Sequence, residues 1–540
     1  MRIGIAQINP TLGDFATNYQ KIFENIKVAK DKKCEMLIFP EAALFGYHPF
    51  DLLERAELVE MQNKYVQLLE KKIPQGIAVL FGFIRANKSK KGRPYFNSVA
   101  LIQKGKKAQF FDKQLLPTGD VFDEARFIEP GSVKNNYFTW KWLRFFLTIC
   151  EDIWAWPDGK KNSAYTKNPL LSVPKKKVDF VINMSASPFY LGKMKLREAM
   201  SLQTAKHFKA PVIYVNLVGA QDEIIFDGAS FIIDQKGKKL LQCHSFDEDF
   251  NVIDTDSREA WSKVESLKET ELLHRALVLG IRDFVAKTGL KKIHLGISGG
   301  IDSAVVACLA VDALGPQKVS LIAMPGPYSA DMSLTLAEKL AKNLNVEFIS
   351  VPINESYKST LKSINVAFKI SESVSVVHEN IQSRLRGLFL MAYSNQANSL
   401  LLATGNKSEY ATGYSTLYGD MCGGLAPIGD LLKHQVYELA KYYNCEHELI
   451  PQQIINRPPT AELRPNQKDQ DSLPPYDQLD QAVENIVEKC TSAKKPIQKW
   501  LLSKLIHTEF KRWQAPPILK VSAHAFGRGR RYPIAHKSAF

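Results

Sequence analysis

The sequence predicts an α/β protein in two parts: mixed α and β layers over residues 1–245, a linker over 246–266, and a doubly wound parallel sheet over 267–540. Three observations predict it. A chain of 540 residues exceeds what one core ordinarily serves, so two domains follow from length. The first half repeats short β-branched and aromatic runs bounded by Gly, Asn or Pro. The second half alternates strand and helix patterns, the signature of a parallel sheet whose ligands sit beyond the carboxyl ends of its strands.

In chain order, the first half offers strands at 2–8, 35–40, 77–84, 97–105, 108–113, 144–150, 178–185, 211–219 and 228–237. Helical patterns over 18–30 and 56–70 lie between them. Around 245–263 the chain turns polar and acidic and loses period-two alternation, which marks the linker. An amphipathic helix over 269–288, closed by Gly289, leads into the buried-looking strand KKIHLGIS. Then come the helix IDSAVVACLAVDAL, the strand KVSLIAMPG, a helix over 333–343, and the strands VEFISVP and SLLLATG.

Composition narrows the class. Apolar residues at 45% and charged residues at 24% exclude a disordered or fibrous chain. No apolar run approaches the roughly 18 residues of a membrane span. The opening MRIGIAQINP reads as a strand and not as a signal peptide, so the cytoplasm is the expected compartment. Seven scattered cysteines without a CxxC pair argue against a disulfide framework or a zinc site. The net charge of +15 raises a nucleic-acid reading, but KSKKGR, PKKKV and GRGRR are short and suit solvated surface or anionic small molecules.

Two stretches carry chemistry. SGGIDS, from Ser298 to Ser303, follows the first strand of the second sheet and opens its helix. Its glycines let backbone N–H groups point inward, and the helix start adds partial positive charge, so the loop suits phosphate. It is not a Walker loop, because GxxxxGK[ST] is absent. Asp302 would repel phosphate unless a divalent cation bridged them, which suggests Mg²⁺ on a pyrophosphate. In the first half, Cys150 in RFFLTICEDIW, Glu41 and Lys113 each stand at or just beyond the end of an apolar strand. Alone they read as a core cysteine, a surface acid and a solvated cation. Together they can converge on one sheet edge, where the glutamate takes the thiol proton and the lysine stabilises an oxyanion.

SGGIDS resembles the loop of the N-type ATP pyrophosphatases, which adenylate an acceptor and release pyrophosphate. The resemblance implies ATP contacts along Gly296, Ile297, Ser298, Gly299, Gly300, Ile301, Asp302 and Ser303. The later stretches LLATGNKSEYATGYSTLYGDMCGGLAPIGDLLKHQVYELA and KRWQAPPILKVSAHAFGRGRRYPI are similar to NAD synthetases. They imply that Thr404 and Lys433 contact ATP and that Asp302 and Glu409 hold Mg²⁺. Asn380, Glu409, Asp420 and Lys520 would meet deamido-NAD⁺, the nicotinic acid dinucleotide.

Glu41, Lys113 and Cys150 match the triad of the nitrilase family, which the first 245 or so residues resemble in motif order. That implies an αββα sandwich hydrolysing an amide through a thioester, with glutamine the expected amide. Gly119, Ser187 and Lys193 would line the glutamine pocket; related enzymes usually carry tyrosine where this chain has Gly119. Joined, the halves resemble the glutamine-dependent NAD⁺ synthetases, with L-glutamine, ATP and deamido-NAD⁺ as substrates and Mg²⁺ as cofactor; because most free ammonia at neutral pH is unreactive ammonium, an internal passage for it is expected. A homo-oligomer is expected, without a nucleic-acid or membrane partner. The alternative is a tRNA-modifying enzyme using the same loop, although no RNA-binding module is visible.

Overall fold

The computed structural model describes residues 1–89, 91–157, 165–256, 267–370 and 374–538. The chain divides into two compact units, Met1–Leu267 and Lys268–Phe540.

The first unit holds two six-stranded sheets. In one, Arg2–Gln7 lies between Asp249–Asp254 and Met36–Ile38, and Ala78–Ala86, Tyr95–Gln103 and Gln109–Asp112 follow. The other runs Lys239–Gln242, Phe231–Ile233, Val212–Asn216, Phe180–Ser185, Leu143–Ile149, Tyr137–Trp140. Alternation along each strand decides the layers, because successive side chains point to opposite faces. Ile3, Ile5, Met36, Ile38 and Leu80 meet Leu147, Ile149, Ile182 and Met184 in a core between the sheets. The neighbours Leu37, Val79 and Phe81 face outward onto Ile22 and Ile26 of the helix Phe15–Asp31 and Leu69 of Ala56–Lys72. Phe146, Val181 and Tyr214 do the same against Met200 and Ala205 of Lys193–Phe208. Both faces of both sheets are covered, which is why the strands read as near-continuous apolar runs. The result is the αββα sandwich.

In the first unit the sequence and the structure differ at an edge strand and at several short strands. Asp249–Asp254, which reads as linker, pairs antiparallel with Arg2–Gln7 as an edge strand. Only Ile253 of it is fully buried, so its half-exposed acidic residues hide the strand pattern. Residues 257–266 of the expected linker lie outside the described residues. Short strands such as Tyr137–Trp140, Ile224–Asp227 and Lys239–Gln242 escape sequence reading because four residues show too little periodicity.

The second unit is built on a four-stranded parallel sheet in the order Glu347–Ser350, Val319–Ala323, Ile293–Gly296, Leu400–Leu401. The expected strand 399–405 is regular over two residues only, Leu400–Leu401, and continues through the Leu402 N–H, which donates to the His294 carbonyl at 3.0 Å, and a bridge from Leu402 to Leu425. Helices Glu269–Thr288, Ile301–Leu314 and Asp331–Leu344 connect the strands or precede them. Ile301–Leu314 is buried on most of its surface, as its apolar sequence requires. Because all four strands run the same way, the segments after Gly296, Ala323 and Leu401 gather at one edge of the sheet.

Candidate active sites

In the first unit, Cys150 directly follows the strand Leu143–Ile149 and opens a short 3₁₀ turn. Its φ of +42° is a left-handed backbone that a residue with a side chain adopts only under constraint. Lys113 follows Gln109–Asp112, and its Nζ donates to Glu41 Oε1 at 2.8 Å and to Glu124 Oε1 at 2.9 Å. Asn97 Nδ2 donates to the same Glu41 oxygen at 2.7 Å, and the Ala186 N–H donates to Glu41 Oε2 at 2.7 Å. Glu41, Lys113, Glu124 and Cys150 are all buried.

Burial sets the protonation states. It raises the Glu41 carboxyl above its usual range despite Lys113 beside it. It works against the Lys113 ammonium, but Glu124 and Glu41 outweigh it and hold Lys113 well above its ordinary value. Burial and then the Glu41 charge push the Cys150 thiol well above the usual thiol range, while Lys113 pulls weakly the other way. Ionisation of this thiol is therefore disfavoured, so a nucleophilic role for it would need a base. Glu41 is the carboxylate whose charge bears most on the Cys150 thiol.

Sequence reasoning missed Glu124. It follows the two-residue strand Phe122–Asp123 in a run of acids, with no spacing to mark it. Of the expected glutamine contacts, Ser187 is buried just past Phe180–Ser185, and its Oγ accepts from Arg197 Nε at 3.1 Å. Arg197 in turn grips Asp227 at 2.7 and 2.8 Å. Lys193 begins its helix with its ammonium 3.8 Å from the Trp154 ring centroid. Gly119 stands on an exposed hairpin with φ +140°, a backbone that disfavours any side chain, which accounts for glycine there.

In the second unit, a cavity of about 310 Å³ opens where the strand ends gather. Every ATP residue expected from the sequence lines it except Gly299, as do Glu409 and Asp420. Gly299 has φ +74° and packs against the Ser333 backbone, where a Cβ would collide. The loop is braced internally: the Gly300 N–H donates to Ser298 Oγ at 3.2 Å, and Ser303 Oγ donates to the Gly300 carbonyl at 3.1 Å. Lys433 Nζ donates to Asp302 Oδ2 at 2.5 Å and lies 3.9 Å from Glu409 Oε1. Asn406 Nδ2 donates to the other Asp302 oxygen at 3.0 Å. Burial and the Asp302 charge raise Glu409 well above the carboxylate range, with Lys433 opposing. Asp420 faces the cavity, and the surrounding protein pushes its carboxyl up to about 6.

Two expected dinucleotide contacts do not line this cavity. Asn380 sits behind its wall, with Oδ1 accepting from Thr416 Oγ1 at 2.9 Å. Lys520 is buried and donates to the carbonyls of Ser522 and Ala523 at 2.9 and 2.8 Å. The cavity adds Arg386, Arg457 and Glu462, which no motif in the sequence marks. Arg457 donates to Ser333 Oγ at 2.8 Å and to Glu462 Oε1 at 2.6 Å.

Among the described residues no group of three or more His, Cys, Asp or Glu could hold a metal. Asp302 and Glu409, two hard oxygen donors sharing one ammonium, nevertheless fit Mg²⁺, which binds through one or two carboxylates plus substrate phosphates.

The fold and its two sites define a carbon–nitrogen hydrolase fused to an ATP-handling synthase. A family model for carbon-nitrogen hydrolase matches residues 2–262, and one for NAD synthase matches 273–515. The glutamine-dependent NAD(+) synthetase of Synechocystis sp. is 42% identical over 99% of this chain and 98% of its own length. That of Thermotoga maritima is 36% identical over 99% of each. The solved structure of glutamine-dependent NAD+ synthetase from Acinetobacter baumannii with adenosine diphosphate superposes with a TM-score of 0.78 at 33% identity, covering 99% of this chain and 98% of that one. The chain belongs to the glutamine-dependent NAD(+) synthetase family.

Proposed function

We propose that the protein makes NAD⁺ from deamido-NAD⁺, ATP and glutamine, releasing AMP, pyrophosphate and glutamate. The observation that carries this is the pairing of two chemically complete sites in one chain: a buried Cys150 beside Glu41 and Lys113, and a phosphate-loop cavity bearing Asp302, Glu409 and Lys433.

In the first site the Cys150 Sγ attacks the glutamine carboxamide as Glu41 takes its proton. Lys113 stabilises the developing oxyanion, and Glu41 returns the proton to the leaving ammonia. Water, activated by Glu41, then frees glutamate from the thioester. Ser187, Lys193 and the backbone at Gly119 hold the amino acid. In the second site the SGGIDS backbone and Lys433 hold the ATP phosphates, and Thr404 contacts the nucleotide. The dinucleotide carboxylate, placed by Glu409 and Asp420, which line the cavity, attacks the α phosphate. Pyrophosphate leaves, and ammonia displaces AMP from the mixed anhydride. Asp302 and Glu409 would hold Mg²⁺, which would supply charge neutralisation on the phosphates.

The same reading divides the labour between residues 1–245 and 267–540 and places the protein in the cytoplasm; no helix among the described residues is long and apolar enough to cross a membrane. Val376 and Leu388, 67% and 61% exposed on the helix Val376–Ala397, support a homo-oligomer, which a light-scattering mass tests. The tRNA-modifying alternative is not favoured, since the relatives spanning the whole chain are NAD(+) synthetases.

Purified protein with ATP, Mg²⁺ and deamido-NAD⁺ should form NAD⁺ with either glutamine or ammonium. Cys150→Ala should abolish use of glutamine and leave ammonium effective. No NAD⁺ from either donor rejects the reading.

A further inference from the structure

Asp152 is fully buried two residues after Cys150, and the chemistry above gives it no part. Its Oδ1 accepts the N–H groups of Gln114 at 3.0 Å and Leu115 at 2.9 Å, the two residues that follow Lys113. Its Oδ2 accepts the N–H of Ile149 at 2.9 Å, the residue before Cys150. One carboxylate therefore ties together the backbones that carry the lysine and the nucleophile. This matters because those backbones leave different sheets. Gln109–Asp112 is an edge strand of one sheet and Leu143–Ile149 belongs to the other, so no ladder of hydrogen bonds sets the distance between them. The Ile149 bond also anchors the chain just ahead of the left-handed Cys150, where the backbone is least content.

The geometry points to Asp152 as a positioning residue for glutamine hydrolysis, acting through backbone N–H groups to hold the Lys113 segment and the Cys150 turn in register. This rests on the assignment of Cys150, Glu41 and Lys113 made above. The bonds that Asp152 makes to Gln114, Leu115 and Ile149 all go to backbone N–H groups, so its loss acts on the alignment of the reacting groups. Misplacement by about 1 Å costs on the order of 10²-fold in rate. Asparagine is nearly isosteric but cannot accept on both sides, since its NH₂ must oppose one of the N–H partners. Alanine removes all three bonds.

The test uses the full-length protein. In Asp152→Asn, glutamine-driven kcat should fall by about 10- to 100-fold, with the KM for glutamine within about twofold of wild type and ammonium-driven synthesis unchanged. Asp152→Ala should fall further. A KM rise without a kcat fall, or an unchanged kcat in both variants, overturns the proposal. So does loss of the cooperative melt in Asp152→Asn, which would make the residue purely structural. A wild-type protein that fails to use glutamine at all would instead reject the site assignment itself.

Discussion

Lys113 sits between Glu41 and Glu124 with no solvent to share the charge. A buried ion pair adds little net stability, but removing one partner strands the other in a medium that cannot solvate it. Lys113→Met would leave two carboxylates facing each other. It should destabilise the first unit by about 3–5 kcal/mol and abolish glutamine hydrolysis, and a melt with a donor-switched assay reads both. Ammonium-driven synthesis should persist. At this scale the sequence was informative where chemistry coincides with a strand end, as for Glu41, Lys113 and Cys150. It was silent where a residue acts through tertiary contact: Glu124 and Asp152 look like ordinary turn acids until Lys113 and three backbone donors are folded onto them.

Among elements, the strand Ala78–Ala86 approaches the segment bearing Glu41 so closely that a Cβ on Gly82 would collide with the backbone of Glu41 and Ala42. The strand is therefore a template for the base as well as a core element. Gly82→Ala should lower glutamine-driven kcat strongly and leave ammonium-driven synthesis intact, as the same assay measures. Long strands with apolar residues on both faces were legible because burial on both sides leaves an unbroken pattern. Asp249–Asp254 was not, because an edge strand with one buried side chain in six offers none.

For the whole molecule, two units with separate cores should unfold separately. Calorimetry should show two transitions, with ATP and Mg²⁺ raising only one. That transition should also depend on pH. His434 Nδ1 pairs with Asp480 Oδ2 at 2.9 Å, and this hydrogen bond, against partial burial, raises the imidazole pKa above 6.5; Glu438 and Glu484 act in the same direction. The contribution is fully present below pH 6.5 and is lost as pH rises through the folded value, so the second unit's melting temperature should decline modestly across that window. His434→Gln should flatten the decline. The enclosed Cys150 has a different consequence for the protein in a cell. Peroxide and soft electrophiles consume thiolates, and burial and the Glu41 charge both disfavour a thiolate at this position. Its glutaminase should therefore survive oxidative stress that inactivates enzymes resting with an ionised cysteine.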